Sequence, residues 1–332
     1  MAPELIIAGL ILLALVVYSL TGGADFGGGL WDLLAMGPRA RVQRDTISRA
    51  LGPIWEANHV WLIVVLVLLW TCFPRVFAGV GTALHVPLTL TLFGIVLRGS
   101  AFVFRSYGPQ DLRSQLSWSW VFSVASLITP ITFGLCIGAI SSGALPMDPE
   151  TGRVQTDFVS SWAAAFPLAT GVYTLVLFGW LAATYLTNIA EYAPVRTDFQ
   201  RRALVAGLVS GVMAGVVLAL MPQGAPPLWT LVSSSPLVWG FMGGVSVLAL
   251  CSMASMWLSR FALARLFAAA TVSAVVLGWG GAMFPVLLQP DLTVWNAAAP
   301  AEVLWTTLAV FGAGSLLLVP SFIWLYRVFR SV

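Results

Sequence analysis

The sequence predicts an all-α integral membrane protein of about nine transmembrane helices packed as a bundle, and three observations carry that prediction. Of 332 residues, 59% are hydrophobic and only 9% charged, where a soluble domain carries about 25% charged residues. Apolar runs of the length needed to cross the hydrocarbon layer, roughly 20 residues, recur from one end of the chain to the other. The 16 basic residues, all arginine, fall into alternate connections between those runs rather than onto one face, so they mark topology and exclude a nucleic-acid patch.

Taken in order, the spans lie near 5–34, 51–72, 79–105, 116–140, 161–188, 202–221, 236–257, 263–286 and 303–327, forming a single polytopic domain over 1–332. The first has no basic residue before its apolar run and carries Glu4, the wrong start for a cleaved signal peptide, so it is expected to be retained. It continues through Gly22, Gly23, Gly27, Gly28 and Gly29, which makes its second half a weaker helix on propensity alone. No strand and no Gly-x-x-x-x-Gly-Lys-Ser/Thr pattern accompanies these glycines, and close helix packing or a local kink is the expectation instead.

The arginines test the span count. Arg39, Arg41, Arg44, Arg49, Arg105, Arg113, Arg196, Arg201, Arg202, Arg260, Arg265, Arg327 and Arg330 occupy the connections after spans one, three, five and seven and the C-terminal tail. Only Arg75 and Arg153 fall on the other side, and Arg98 lies inside the third span. The positive-inside rule then puts the N-terminus outside and the C-terminus in the cytoplasm. Outer connections near 143–160, 222–235 and 287–302 read as solvated or interfacial loops, with Trp229, Trp295 and Trp305 as interfacial anchors. Cys72, Cys136 and Cys251 are far apart in apolar segments, the pattern of buried small hydrophobes rather than of a disulfide framework.

Within this apolar chain, Pro53-Ile54-Trp55-Glu56-Ala57-Asn58-His59-Val60-Trp61-Leu62 places a carboxylate, a carboxamide and an imidazole in about one helical turn. Ionisable groups at membrane depth are expensive and mark pathways, relays or ligands. Glu56 lies about 8 Å in from the cytoplasmic end of its span and Arg98 about 10 Å in on the neighbouring, descending span. Their matching depth suggests a Glu56–Arg98 pair, direct or through water, and Asp25 falls in the same third of the membrane. Two readings stand: a buried pair that only fixes helix register, or a proton inlet in which Glu56 and Asp25 change protonation while Arg98 and Asn58 hold them in place. His59 and His85, the two histidines, could each ligate haem iron, but their depths differ by well over 10 Å, which makes them poor joint ligands for one metal.

These residues resemble a family. Gly23-Ala24-Asp25-Phe26-Gly27, then the 53–62 stretch, Phe73-Pro74 and Leu97-Arg98-Gly99-Ser100-Ala101-Phe102-Val103-Phe104-Arg105 are similar to Gly-Phe-Asp-Leu/Met-Gly, Pro-x-Trp-Asp-Gly-Asn-x-x-Trp-Leu and Arg-Gly-x-Ala-Phe-Glu-Phe-Arg of subunit II of cytochrome bd-type quinol oxidases. The resemblance implies a nine-helix subunit of the bacterial cytoplasmic (inner) membrane. It also implies a partner, subunit I, carrying haem b and haem d, with quinol as the substrate of the complex. A small single-span subunit, a structural quinone and membrane lipid are further partners that the resemblance brings. Carried over residue by residue, it implies a cytoplasmic proton route through Trp55 and Glu56, puts Asp25 and Arg98 on positions near the subunit interface, and implies no metal ligand in this chain. Together with the depth argument this makes Glu56, Asp25, Asn58 and Trp55 the expected proton-pathway residues, and Arg98 and Trp61 structural or electrostatic ones. Four positions depart from the pattern: Gly22 and Val103 stand where the family has acids, Glu56 where it has Asp, and Ser119 inside what is otherwise a Trp-Asp-Trp. A secondary transporter is the rival class, but such proteins gather their polar groups near the midplane of repeated halves, whereas the acids here gather toward one face.

Overall fold

The computed structural model describes residues 2–51, 55–108, 111–148 and 150–330. Along the chain these form α1 (Pro3–Leu33), α2 (Ala40–Leu51), α3 (Trp55–Cys72), α4 (Pro74–Ala83), α5 (His85–Tyr107), α6 (Leu112–Ser142), α7 (Ala165–Ile189), α8 (Ala193–Gly224), α9 (Pro226–Ser234), α10 (Pro236–Trp257), α11 (Phe261–Met283), the strands β1 (Val286–Leu288) and β2 (Leu292–Thr293), and α12 (Ala301–Arg330). Among the described residues, eight helices are long and apolar enough to cross a membrane, and α3 with α4 makes a ninth if that bent pair is one span. The expected Pro53 and Ile54 of the polar stretch, and Pro149 of the longest loop, lie outside the described residues.

The expected second and third spans need correction at their junction. The chain bends by 116° between α3 and α4, and residues 79–83 belong to α4, so the third span begins at His85 rather than near 79. Pro74 opens α4; it has no N–H to continue the α3 hydrogen-bond ladder, and its ring disfavours a helical conformation at Phe73.

α1 runs without a break through its glycines. Propensity loses here to packing, since neighbours fill the space that side chains would occupy. A Cβ on Gly27 would collide with the Phe178 carbonyl of α7, and one on Gly29 would collide with the Ser126 side chain of α6. The indole N–H of Trp31 donates to the Gly179 carbonyl at 2.7 Å, a second tie between α1 and α7. α7 lies at the centre of the bundle, against α1, α6, α8 and α11, and Thr170, Thr174, Thr184 and Thr187 along it are buried. Each of those hydroxyls donates to the carbonyl one turn back, which satisfies the group without a partner helix.

The arginine-rich end is knitted by side chains that the sequence reading treats as topological markers. Arg39 grips Asp198 of α8 with two 2.8 Å hydrogen bonds, and Gln43 donates to the same carboxylate at 2.7 Å. Arg202 donates to Gln43 and to the Leu34 carbonyl, and Arg44 to the Ala35 carbonyl. Cations thus meet the free carbonyls at the C-terminal end of α1, where the helix dipole is negative.

At the other end, the connection expected to be a plain interfacial loop contains the β1–β2 hairpin. Leu288, Leu292 and Val294 are buried there in the cluster that also holds Ile7, Cys72 and Leu145. The Asp291 carboxylate accepts the Met147 N–H at 2.6 Å, joining the hairpin to the long loop. Trp295 and Trp305 are exposed, Trp229 partly so. Cys72 and Cys136 are buried, Cys251 is half-buried, and all three are free thiols. α12 lies on the outside of the bundle, with Phe322 stacked on Trp61 of α3 at 5.8 Å.

Gly27→Ala is expected to cost about 1–3 kcal/mol through overpacking, measured as a lowered unfolding temperature in detergent. Gly9→Ala, whose new methyl group meets nothing within 4 Å, should leave that temperature unchanged or raise it.

Candidate functional site: a buried acid and arginine ladder

The second half of α1 puts Asp25 and Asp32 seven residues apart, two turns along one face of the helix. α5 carries Arg98 and Arg105 at the same interval. The four side chains form two rungs. Arg98 Nη2 lies 2.5 Å from Asp25 Oδ1, and both residues are 1% exposed. Arg105 reaches Asp32 at 3.3 and 3.4 Å, with Asp32 also 1% exposed. The second rung lies about 10 Å nearer the arginine-rich end.

α6 completes both rungs from the third side. The Ser126 hydroxyl donates to the Phe122 carbonyl of its own helix at 2.7 Å, which leaves its lone pairs to accept Arg98 Nε–H at 3.1 Å. Ser123 donates to Asp32 Oδ2 at 3.2 Å. The Phe122 ring lies between the two guanidiniums, 4.9 Å from the Arg98 carbon and 5.1 Å from that of Arg105, while Phe26 covers Arg98 from 5.2 Å. Arg98 is therefore enclosed by a carboxylate, a hydroxyl and two aromatic faces, the combination that makes a fully desolvated cation tolerable.

The expected Glu56–Arg98 pair does not form. Arg98 takes Asp25 instead, because Asp25 and Ser126 come within reach on the inner faces of α1 and α6, whereas Glu56 is exposed on the outside of the chain. The same turn of α3 nevertheless joins surface to ladder. Asn58, two residues on, is 3% exposed and its amide faces the Asp25 carboxyl. Trp55 opens α3, and Trp61 both stacks on Phe322 of α12 and packs against the Tyr18, Phe26 and Phe178 cluster beside the ladder.

The two histidines occupy different places. His59 sits beside the ladder, its Nδ1 3.4 Å from the Tyr18 hydroxyl and its ring 6.0 Å from that of Phe26. His85 opens α5 at the far end, its Nδ1 3.0 Å from the Thr82 carbonyl and its ring edge-on to Phe158. Among the described residues no group of three His, Cys, Asp or Glu side chains could hold a metal ion. His59 is packed between the Tyr18 and Phe26 rings.

Asp32, Ser123, Ser126, Phe26, Phe122 and Tyr18 are site residues that sequence reasoning missed, and Arg105 was placed in a connection. A signal for two of them was present. Tyr18, Asp25 and Asp32 recur at intervals of seven with Gly22 and Gly29 between them, a polar and small-residue stripe on an otherwise apolar helix.

Arg98→Ala is expected to lower the yield of folded subunit in mild detergent, since leaving Asp25 buried without its cation costs about 3–5 kcal/mol. Replacing both Arg98 and Asp25 with Leu should recover part of that loss. Glu56→Gln, at an exposed position, should not reduce the yield; equal yields for Arg98→Ala and Glu56→Gln would contradict this account of the pair.

The family described as cytochrome bd terminal oxidase subunit II matches residues 3–329. The chain is 26% identical over 318 residues to the cytochrome bd-I ubiquinol oxidase subunit 2 of Escherichia coli (strain K12), covering 86% of this chain and 83% of that protein. It is 28% identical over 201 residues to the cytochrome bd ubiquinol oxidase subunit 2 of Bacillus subtilis (strain 168), covering 59% and 55%. A chain of the bd oxidase from Geobacillus thermodenitrificans has the same fold, with a TM-score of 0.80 and 21% identity over 99% of each chain. A secondary transporter is thereby set aside, and the chain belongs to the cytochrome bd terminal oxidase subunit II family.

Proposed function

We propose that this subunit serves a quinol-oxidising, oxygen-reducing complex as its cytoplasmic proton inlet, and that it pairs with a subunit I carrying haem b and haem d. Homologues are subunits of cytochrome bd oxidase complexes. Reducing oxygen to water consumes protons, which must cross apolar protein to reach the reacting atoms. A subunit without the redox group contributes to that reaction by holding titratable side chains along a path.

The observation that carries the proposal is the buried Asp25–Arg98 pair with Asn58 beside it. If the arginine-rich end faces the cytoplasm, as the positive-inside rule requires, Glu56 is the exposed acid at the entrance. Asn58, two residues along the same turn, lines the step inward, and Asp25 is the interior acid. Arg98 balances the charge of Asp25, and Ser126 and Phe26 hold the guanidinium still, so that a proton can be taken up on the carboxyl without moving helices. Asp32 with Arg105 offers a second acid closer to the same entrance.

Val103 stands where the family resemblance expects an acid, and Asp32 contributes a carboxylate beside Arg105, two residues further along α5. A pair that merely fixes helix register would explain the burial but not Asn58 facing the carboxyl or the exposed acid one turn away.

Glu56→Gln in the complex purified from its native membrane is expected to retain haem absorbance and both large subunits while lowering oxygen consumption severalfold. Wild-type turnover in that variant would end the inlet proposal.

A further inference from the structure

Three buried polar atoms beside the ladder have no hydrogen-bond partner among the described residues: Asp25 Oδ2, Asn58 Oδ1 and His59 Nε2. They share one neighbourhood: the His59 ring lies 6.0 Å from that of Phe26, Phe26 covers the Arg98 guanidinium that holds Asp25, and Asn58 is the residue before His59 on α3. Native interiors pair nearly all such groups, because an unmade hydrogen bond costs the full desolvation of the atom.

Their chemistry defines what would satisfy them. Asp25 Oδ2, in the ionised carboxylate, and Asn58 Oδ1 are acceptors. The Tyr18 hydroxyl lies 3.4 Å from His59 Nδ1; in the tautomer in which that hydroxyl donates, the imidazole proton sits on Nε2, and it is this tautomer, with Nε2 a donor, that the site proposed here takes. The missing group must therefore give two hydrogen bonds and take one. A metal ion offers nothing to an N–H and would sit beside Arg98; an anion offers no donor to the carboxylate. A water molecule has the required valence, and buried waters make about three such bonds.

We propose that Asp25, Asn58 and His59 enclose one resident water, and that His59 is a positioning residue that fixes its orientation. This rests on the inlet proposal and deepens it. Oδ1 of Asp25 is held by Arg98, so Oδ2 is the atom that takes up the proton. The proton passes from the water to Oδ2, and the water is restored by a proton from the next water outward, leaving no charge on it.

The test uses the assembled oxidase. A density map that resolves ordered waters should show one peak about 2.7–3.2 Å from all three atoms; a map in which the three atoms pair with protein groups would overturn the proposal. His59→Leu should keep haem absorbance, lower oxygen consumption severalfold and raise its solvent deuterium isotope effect, and His59→Gln, which keeps an N–H, should restore both. Wild-type turnover and isotope effect in His59→Leu while Glu56→Gln is impaired would remove this water site alone. Wild-type turnover in both would remove the inlet as well. Should His59→Leu fail to assemble, the map of the unaltered complex decides.

Discussion

A guanidinium with almost no contact with solvent has to be paid for by neighbours placed within a few tenths of an ångström, and Arg98 sets that demand on three helices at once. α1 must bring Asp25, α6 must bring Ser126 and Phe122, and α5 must stay in register with both. The glycines of α1 follow from the same demand. Gly29 is the position where a side chain would displace Ser126, and Gly27 lets α1 reach the backbone of α7. The second rung, Asp32 with Arg105 and Ser123, repeats the arrangement two turns away. A slip of one helix by a turn would leave two buried acids and two cations mismatched.

The same geometry divides the helix α3 into two roles. Residues 56–59 carry an exposed acid, a buried amide and His59, and the run from Val60 to Trp70 is apolar and packs against α1 and α12. Polar function is thus confined to one end of one helix and the faces opposite it, while the rest of the bundle keeps water and lipid away. Threonines on α7 show how a polar side chain can be buried without joining that network, by donating to its own helix. What distinguishes Asp25, Asn58 and His59 is that each leaves an atom open.

Composition, apolar run length and the alternation of arginines determined the class of the protein, its approximate number of spans and the residues where polar chemistry would concentrate, because each is a local property set by the cost of placing polar groups in hydrocarbon. Asp25, Asn58 and Arg98 were legible on those grounds. Which acid pairs with Arg98 was not, since depth along a helix says nothing of the face on which a side chain lies, and Glu56 and Asp25 share a depth on different faces. The bend after Cys72, the hairpin beyond Met283 and the pairing of Asp32 with Arg105 were likewise decided by tertiary structure, where distances between residues far apart in sequence determine which partners meet.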